Sequence, residues 1–242
     1  MTTKEHHIKV SGISVEIVRK DIKNFHLAVY PPHGRVRVSA PERLNDEAIR
    51  LAVISRLSWI KKQQVGYENQ VRQSEREMVT GESHYVQGRR YLLDVIEKKG
   101  AASVCIRNNT TLELQVRPGT DRKKREEILH NWYRRLLREQ IPGLIAKWEP
   151  KIGVTVADCR IKKMKTRWGT SNIEERRIWL NLELAKKSAA CLEYIFVHEL
   201  VHFLERHHND QFKEYMSRFL PQWRVVRDEL NQAALGAEDW KY

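Results

Sequence analysis

Short stretches of alternating apolar and polar residues dominate the first 40 positions of the chain. They occupy residues 8–10, 14–18, 25–29 and 35–38. A period of two is typical of strands that bury one face, and the glycines and prolines between the stretches are typical of turns. The pattern therefore predicts a small sheet in this region.

A helical period replaces this alternation after Asn45 or Asp46, either of which can cap a helix. Apolar residues recur at helical spacing from Ile49 to Ile60, and a polar continuation extends the predicted helix to about residue 77. A second, antiparallel group of strands is predicted at residues 91–96, 104–107 and 112–116, after the segment 81–88. The first half of the chain is therefore predicted to be β-rich with one long helix.

Pro118-Gly119 separates this half from a more helical one, and we place a domain boundary there, between residues 1–120 and 121–242. From Asp121 to about residue 148 the spacing predicts a long helix, kinked at Pro142-Gly143. Further strands are predicted at 154–161 and 178–182, and further helices from 189, from 210 to 220 and from 222 to about 235. The predicted fold class is α+β, with a small sheet in the second domain.

Residues 194–204 lie on one of these helices and are strongly apolar around three polar side chains. His198 and His202 are one helical turn apart, so both imidazoles can reach one divalent metal ion. Glu199 lies beside them and can take a proton from a water that the metal has polarised. Metal binding would also offset the cost of burying these groups. The H-E-x-x-H pattern therefore predicts a catalytic site for zinc, with another divalent metal as the alternative.

A catalytic zinc site needs a third protein ligand and an open position for water. His208 follows His198 by ten residues, the spacing of the last histidine in long zincin motifs. An unbroken helix would separate the two by about 15 Å, so the chain must turn back after about residue 205. We expect left-handed backbone in that turn, at His207 or Asn209. We favour His208 as the third ligand. The other candidates are His207, Glu214 and Glu229.

The chain is strongly basic, with 44 lysines and arginines against 31 acidic residues and a net charge of +13. The basic residues concentrate at 122–138 and at 160–167. Such a surplus favours polyanionic partners, which makes nucleic acid or a nucleotide phosphate a candidate ligand.

The three cysteines are scattered and lack C-x-x-C spacing, which is typical of reduced thiols in a cytoplasmic protein. The first residues contain no apolar signal region, and no apolar run approaches about 20 residues. We therefore expect a cytoplasmic protein without a membrane span.

Four motifs occur together in the last third of the chain. They are T-R-W-G-T-S at 166–171, I-W-L-N-L-E-L at 178–184, the H-E-L-V-H stretch at 194–202, and H-H-N at 207–209 followed by Phe212. The set closely resembles the YgjP-like metallopeptidase family, relatives of the SprT-like and WLM zincins. Ser171 stands where this family usually has cysteine, and His207 where it usually has asparagine. The resemblance reaches back to residues 88–91 and Pro41, so it covers most of the chain.

This resemblance implies a minimal zincin-like metallopeptidase domain. It implies zinc bound by His198, His202 and His208, and Glu199 as the general base that activates water for peptide hydrolysis.

Four residues just before the metal site are candidates for substrate binding. They are Arg167, Trp168, Gly169 and Thr170. Gly169 could let a substrate backbone come close, and Arg167 could bind an anion. In the alternative interpretation Trp168 is a core aromatic, Gly169 is a turn residue, and Arg167 forms a salt bridge with Glu174 or Glu183.

The sequence is compatible with other functions, because a metal-bound water can attack several classes of substrate. The same site could act as a nucleoside triphosphate pyrophosphatase or phosphatase, with the phosphates held by residues 160–167. It could also cleave proteins bound to nucleic acid. A basic nucleic-acid-binding module with a structural metal is disfavoured, because Glu199 and an open ligand position are typical of catalytic sites. We predict a zinc-dependent metallopeptidase first and a nucleotide hydrolase second.

Overall fold

The structure is a computed structural model, and it describes residues 5–30, 33–68, 76–164 and 167–232. The described chain forms two compact units that divide between residues 68 and 76. The domain boundary at Pro118-Gly119, between residues 1–120 and 121–242, stays a prediction; the strands from residue 83 onward share a hydrophobic core with the helices that follow. In the described ranges, no helix combines the length and apolar character that a bilayer span needs.

The first unit contains the small sheet that the alternating pattern predicts. Its strands are β1 (Glu5–Val10), β2 (Ile13–Lys20), β3 (His26–Tyr30) and β4 (Arg35–Pro41), in the order β1-β2-β4-β3. β2 and β4 run parallel, and the two outer pairs are antiparallel. Val36 and Val38 project from β4 into a core that also contains Ile49.

Two helices, α1 (Asp46–Ile54) and α2 (Leu57–Glu68), replace the single long helix predicted for this region. Asn45 caps α1, because its side-chain oxygen accepts a hydrogen bond from the backbone N–H of Ala48 (2.8 Å). Between the helices, the N–H of Arg56 donates to the Val53 carbonyl only three residues back, which interrupts the α-helical pattern. Residues 69–75 of the predicted helix lie outside the described residues, and residues 76–79 are not helical.

The second unit begins with another four-stranded sheet. Its strands are β5 (Ser83–Val86), β6 (Arg89–Glu97), β7 (Ser103–Ile106) and β8 (Thr111–Val116), in the order β5-β6-β8-β7. β6 and β8 run parallel, so the prediction of a wholly antiparallel group is wrong for the central pair. The strand order and directions repeat those of the first sheet.

The long helix α3 (Arg122–Ile152) packs against this sheet. Asp121 caps it by accepting a hydrogen bond from the backbone N–H of Lys124 (2.7 Å). The buried Tyr133 hydroxyl donates to the Tyr85 carbonyl in β5 (2.8 Å), which ties helix to sheet. The helix continues through the predicted kink region and ends at Ile152, four residues later than expected, with Gly153 as its C-cap in left-handed backbone.

A three-stranded sheet follows, with β9 (Asp158–Lys162), β10 (Gly169–Asn172) and β11 (Arg177–Asn181) in the order β10-β11-β9. β10 is antiparallel to β11, and β9 is parallel to it. The apolar pattern does not predict β10, because its four residues contain no apolar alternation. A 3₁₀ helix (Leu182–Lys186) leads into α4 (Ala189–Val201), α5 (Asp210–Phe219) and α6 (Trp223–Gln232). Residues 233–235 of the last predicted helix lie outside the described residues.

Candidate metal centre

Helix α4 carries the H-E-x-x-H residues. Its first turn is capped by Ser188, whose hydroxyl oxygen accepts a hydrogen bond from the backbone N–H of Cys191 (3.3 Å). His198 lies in the last turn and His202 is the C-cap residue. The two rings therefore share one side of the helix end, with centroids 4.9 Å apart.

The chain turns back directly after α4, as the spacing of the histidines requires. Backbone N–H groups of residues 203–205 donate to the carbonyls of residues 200 and 201. The Glu205 carboxylate accepts a hydrogen bond from the backbone N–H of His207 (2.9 Å). The expected left-handed backbone at His207 or Asn209 is not found, because neither residue has a positive φ. Tight backbone hydrogen bonds at the end of the helix make the turn instead.

This turn places His208 against the histidine pair. Its Nε2 atom lies 3.0 Å from Nε2 of His198, and its ring centroid lies 4.7 Å from that of His202. One nitrogen from each ring lies within 4.8 Å of the other two. The structure therefore brings together the three residues that the sequence analysis favours as metal ligands, and their assignment as ligands stays a prediction.

The electrostatics of the three rings suit a divalent cation. Burial, helped by the neighbouring imidazoles, lowers the pKa of His198 to about 3. Burial also lowers the pKa of His202 and of His208, so all three rings are neutral at pH 7 and offer lone pairs.

The hydrogen bonds of the rings favour the same ligand. Nδ1 of His202 lies 3.1 Å from the Glu205 carbonyl, and as a donor to that oxygen it leaves Nε2 unprotonated. Two neutral ring nitrogens of His198 and His208 lie 3.0 Å apart, where a shared cation would accept both lone pairs. Three imidazole nitrogens in this arrangement fit the ligand set of a catalytic zinc site.

Glu199 lies beside the histidines with only 5% of its surface exposed. Burial raises the pKa of its carboxyl group to about 7, while a hydrogen bond from the Ser171 hydroxyl and the positive charge of Arg167 act in the opposite direction. A carboxylate that titrates near neutral pH can both accept and release a proton. Ser171, one of the two departures from the family motif, thus contacts the predicted base, a contact that the sequence does not reveal.

Strand β10 lies next to α4 and faces the same residues. A Cβ atom at Gly169 would come within 2.7 Å of Oε1 of Glu199 and within 2.8 Å of Cγ2 of Ile195. Only glycine allows this close approach, so Gly169 is a strand residue in contact with the helix and not a turn residue. In the described sheet β10 pairs with β11 on one edge only, which leaves its other edge without a neighbouring strand.

Asn181 holds the segment that leads into β10. It is completely buried, and its side-chain amide donates hydrogen bonds to the carbonyls of Met164 (3.0 Å) and Arg167 (2.7 Å). Its side-chain oxygen accepts a hydrogen bond from the backbone N–H of Glu183 (3.2 Å). Residues 165 and 166, which the sequence analysis includes in a basic stretch and in a motif, lie outside the described residues. Asn181 therefore anchors both sides of this segment.

A cleft of about 860 Å³ is lined by the end of α4, the turn that follows it and the segment 167–174. Its lining includes the predicted site residues, namely His198, Glu199, His202, His208, Arg167, Trp168, Gly169 and Thr170. Arg206 also lines the cleft, although no pattern in the sequence marks it as a site residue. Trp168 packs against the hydrophobic core as well, with the Lys187 ammonium 5.5 Å from its ring. The role of the segment 167–170 in substrate binding stays a prediction.

Glu174, one suggested partner of Arg167, lines the same cleft, and the remaining carboxylates considered as ligands or partners lie elsewhere. Glu229 accepts a hydrogen bond from Ser188 (3.1 Å) at the opposite end of α4. Glu214 is exposed on α5 and does not line the cleft. Glu183, one suggested partner of Arg167, pairs with Lys186 (2.9 Å). Within the described part of the chain, the three histidines are the one group of side chains that could hold a metal.

Ion pairs with acidic residues neutralise part of the basic charge that suggested a nucleic acid partner. Arg160 and Arg177 both contact Asp158, at 2.5 and 3.2 Å. Lys163 lies 3.6 Å from Glu126 on α3, so the second basic stretch contacts an acidic residue within the first. These contacts give Arg160, Lys163 and Arg177 a structural role in the described chain.

Fold and site together define a metallopeptidase-like hydrolase, in which an α+β unit presents an H-E-x-x-H helix to a cleft. The chain belongs to the YgjP-like family, because residues 23–233 match its metallopeptidase domain. The predicted family and the α+β fold class are confirmed. Membership implies a divalent metal, for which the histidine group offers a site.

Two solved structures of archaeal metallopeptidase zymogens are similar to parts of the chain. Abylysin from Pyrococcus abyssi is 18% identical, with a TM-score of 0.35 over 37% of this chain and 90% of that chain. Jannalysin from Methanocaldococcus jannaschii is 18% identical, with a TM-score of 0.34 over 38% of this chain and 94% of that chain. No curated protein matches the sequence.

Proposed function

We propose that the protein is a zinc-dependent peptidase in which His198, His202 and His208 bind the metal and Glu199 is the general base. One observation carries the proposal: three neutral imidazoles with nitrogens within 4.8 Å of one another lie beside a buried carboxylate, in a cleft. Membership of a metallopeptidase family supports peptides or proteins as the substrate.

Glu199 would move the proton in this reaction. A bound divalent cation would supply Lewis-acid chemistry, lowering the pKa of water and polarising the carbonyl group. The Glu199 carboxylate would accept the proton of the attacking water and deliver it to the leaving amine. Its pKa, raised by burial to about 7, suits a group that must do both near neutral pH. The Ser171 hydroxyl, by donating to this carboxylate, would hold it in place between the two steps.

The unpaired edge of β10 would bind the substrate backbone. An extended peptide can add to an exposed strand through backbone hydrogen bonds, which are independent of side-chain identity. β10 lies against α4 through Gly169, so a peptide on this strand would pass close to Glu199. Arg167 and Thr170 would then face side chains of the substrate from the same wall of the cleft.

Peptide hydrolysis has support that the other predicted functions lack. Neither the family match nor the described contacts favour nucleotide hydrolysis or a nucleic acid partner. Three cysteines without disulfide bonds support the predicted cytoplasmic location, where thiols stay reduced.

Three substitutions test the proposed roles, with metal content and hydrolysis of casein measured for each. We expect Glu199→Gln to keep zinc and lose about 10²–10⁴-fold in rate, because only the proton acceptor is removed. His198→Ala and His208→Ala should lose both zinc and activity. His207→Ala is the matched control for His208→Ala, because His207 is the exposed neighbour outside the histidine group.

Each result can also contradict the assignment. A wild-type rate in Glu199→Gln would rule out Glu199 as the base, and full zinc binding in His208→Ala would rule out the third ligand. Parallel assays with nucleoside triphosphates would detect the nucleotide hydrolase as released phosphate or pyrophosphate.

A further inference from the structure

We infer that Phe212 is a positioning residue for the metal ligands, because its ring is the common surface against which all three imidazoles pack. The inference rests on the proposed function, in which these imidazoles bind the metal. The Phe212 ring centroid lies 4.9 Å from that of His198, 4.8 Å from that of His202 and 4.7 Å from that of His208. Nearly equal distances to three rings place it at the centre of the cluster and not beside one member.

The geometry of these contacts restricts how each imidazole can turn. The ring planes of His198 and His208 stand at 69° and 83° to the Phe212 ring, in edge-to-face contacts, and His202 is tilted at 36°. Aromatic rings at this separation and angle attract each other beyond the effect of their burial. Phe212 thus favours the ring orientations in which the three nitrogens converge. The ring does this through packing alone, since a phenyl group has no hydrogen-bonding atom.

The position of Phe212 is itself tightly held. It is 2% exposed and lies in the first turn of α5. The Asn209 side-chain oxygen accepts a hydrogen bond from the Phe212 backbone N–H (3.0 Å), which fixes the start of that helix directly after His208. Asn209 and Phe212 therefore connect the third histidine to the pair on α4 through a rigid helix start.

Phe212 should matter most for His208. His198 and His202 are already oriented by α4 and one turn of helical spacing. His208 lies after the helix on an exposed turn, and its approach to His198 depends on what it packs against. Loss of the Phe212 ring would let the His208 imidazole turn away, so a metal would have to order it on binding. The free energy spent on ordering the His208 ring would lower the affinity for the metal.

Met216 provides a matched control for a general packing defect. It lies one helical turn after Phe212 on α5 and is completely buried, but its side chain has no aromatic ring to make edge-to-face contacts. Phe212→Ala, Phe212→Leu and Met216→Ala would be compared with the wild type. Unfolding of the metal-free proteins measures the packing loss, and zinc competition with a chromogenic chelator measures affinity. The visible absorption of the cobalt(II)-substituted proteins reports the ligand geometry.

We expect Phe212→Ala to weaken zinc binding about 10- to 100-fold, the range typical for residues that orient metal ligands, and to change the cobalt spectrum. Met216→Ala should lose similar stability and keep both the zinc affinity and the cobalt spectrum of the wild type. Phe212→Leu keeps more of the buried volume and serves as the second variant if Phe212→Ala fails to fold. It should show the same change in affinity, because a branched aliphatic chain cannot make the three ring contacts.

The inference is overturned if the Phe212 variants bind zinc as tightly as Met216→Ala, with an unchanged cobalt spectrum. That outcome leaves the proposed function standing, since the wild type would still bind zinc and His198→Ala would not. If the wild type and His198→Ala bind zinc equally, the proposed metal site fails and the role of Phe212 fails with it.

Discussion

Replacing Gly169 with alanine tests the contact between strand β10 and the H-E-x-x-H helix. The new Cβ atom would lie 2.7 Å from Oε1 and 3.0 Å from Cγ of Glu199, and 2.8 Å from Cγ2 of Ile195. Ordinary carbon contacts begin at about 3.4 Å, so each of these atoms would have to move by several tenths of an ångström. The Glu199 side chain has little room to move, because it is buried and accepts a hydrogen bond from the Ser171 hydroxyl.

The size of the effect follows from this overlap. Overpacking of this kind typically costs about 1–3 kcal/mol of stability. A displacement of about 1 Å in a catalytic group can lower the rate on the order of 10²-fold. We therefore expect Gly169→Ala to lose about two orders of magnitude in kcat/KM for a peptide substrate. The zinc content should stay at the wild-type level, because the atoms nearest to the new Cβ belong to Glu199 and Ile195 and not to a histidine.

Gly143→Ala is the control for this substitution. Gly143 is exposed on α3, and a Cβ atom there would meet nothing within 4 Å. Its activity should equal that of the wild type, with stability raised by up to about 1 kcal/mol through helix propensity. If Gly169→Ala keeps the wild-type kcat/KM while zinc content and melting temperature are unchanged, the close approach of β10 to Glu199 is not needed for catalysis.

Two further predictions concern residues that support the site or the fold. Asn181→Asp should raise KM and speed proteolytic cleavage between residues 162 and 168, because a carboxylate cannot donate to the Met164 and Arg167 carbonyls; unchanged cleavage and KM would contradict the anchoring role. Burial lowers the pKa of His84 in the folded protein, so its contribution to stability is present above about pH 6.5 and is lost as pH falls below that value. The unfolding free energy of the wild type should therefore decrease more between about pH 7 and pH 5 than that of His84→Gln. Equal dependence of the unfolding free energy on pH in the two proteins would refute this contribution of His84.

The sequence was most informative where local spacing decides geometry. Alternation predicted the strands of the first sheet, and the four-residue interval between His198 and His202 predicted that both rings share one face. The approach of His208 followed from the requirement for a third ligand, although the turn uses tight backbone bonds and not the left-handed residue that was expected. Family motifs pointed to Arg167 and Gly169 without showing what either contacts.

Long-range packing decided the features that the sequence left open. Strand β10 has no apolar alternation, and it is a strand because it pairs with β11 and lies against α4. β6 and β8 run parallel although β7 lies between them in the chain. In the sequence Phe212 stands out only as part of a family motif, and the fold alone brings its ring against three histidines.

The sequence by itself determined that His198, Glu199 and His202 would lie together, because a histidine pair one turn apart with an adjacent glutamate depends only on the repeat of an α-helix. The tertiary structure alone decided where the third histidine, the Ser171 hydroxyl, the free edge of β10 and the Phe212 ring lie relative to that pair. Those positions depend on turns and on contacts between residues far apart in the chain, whose energies no local pattern contains.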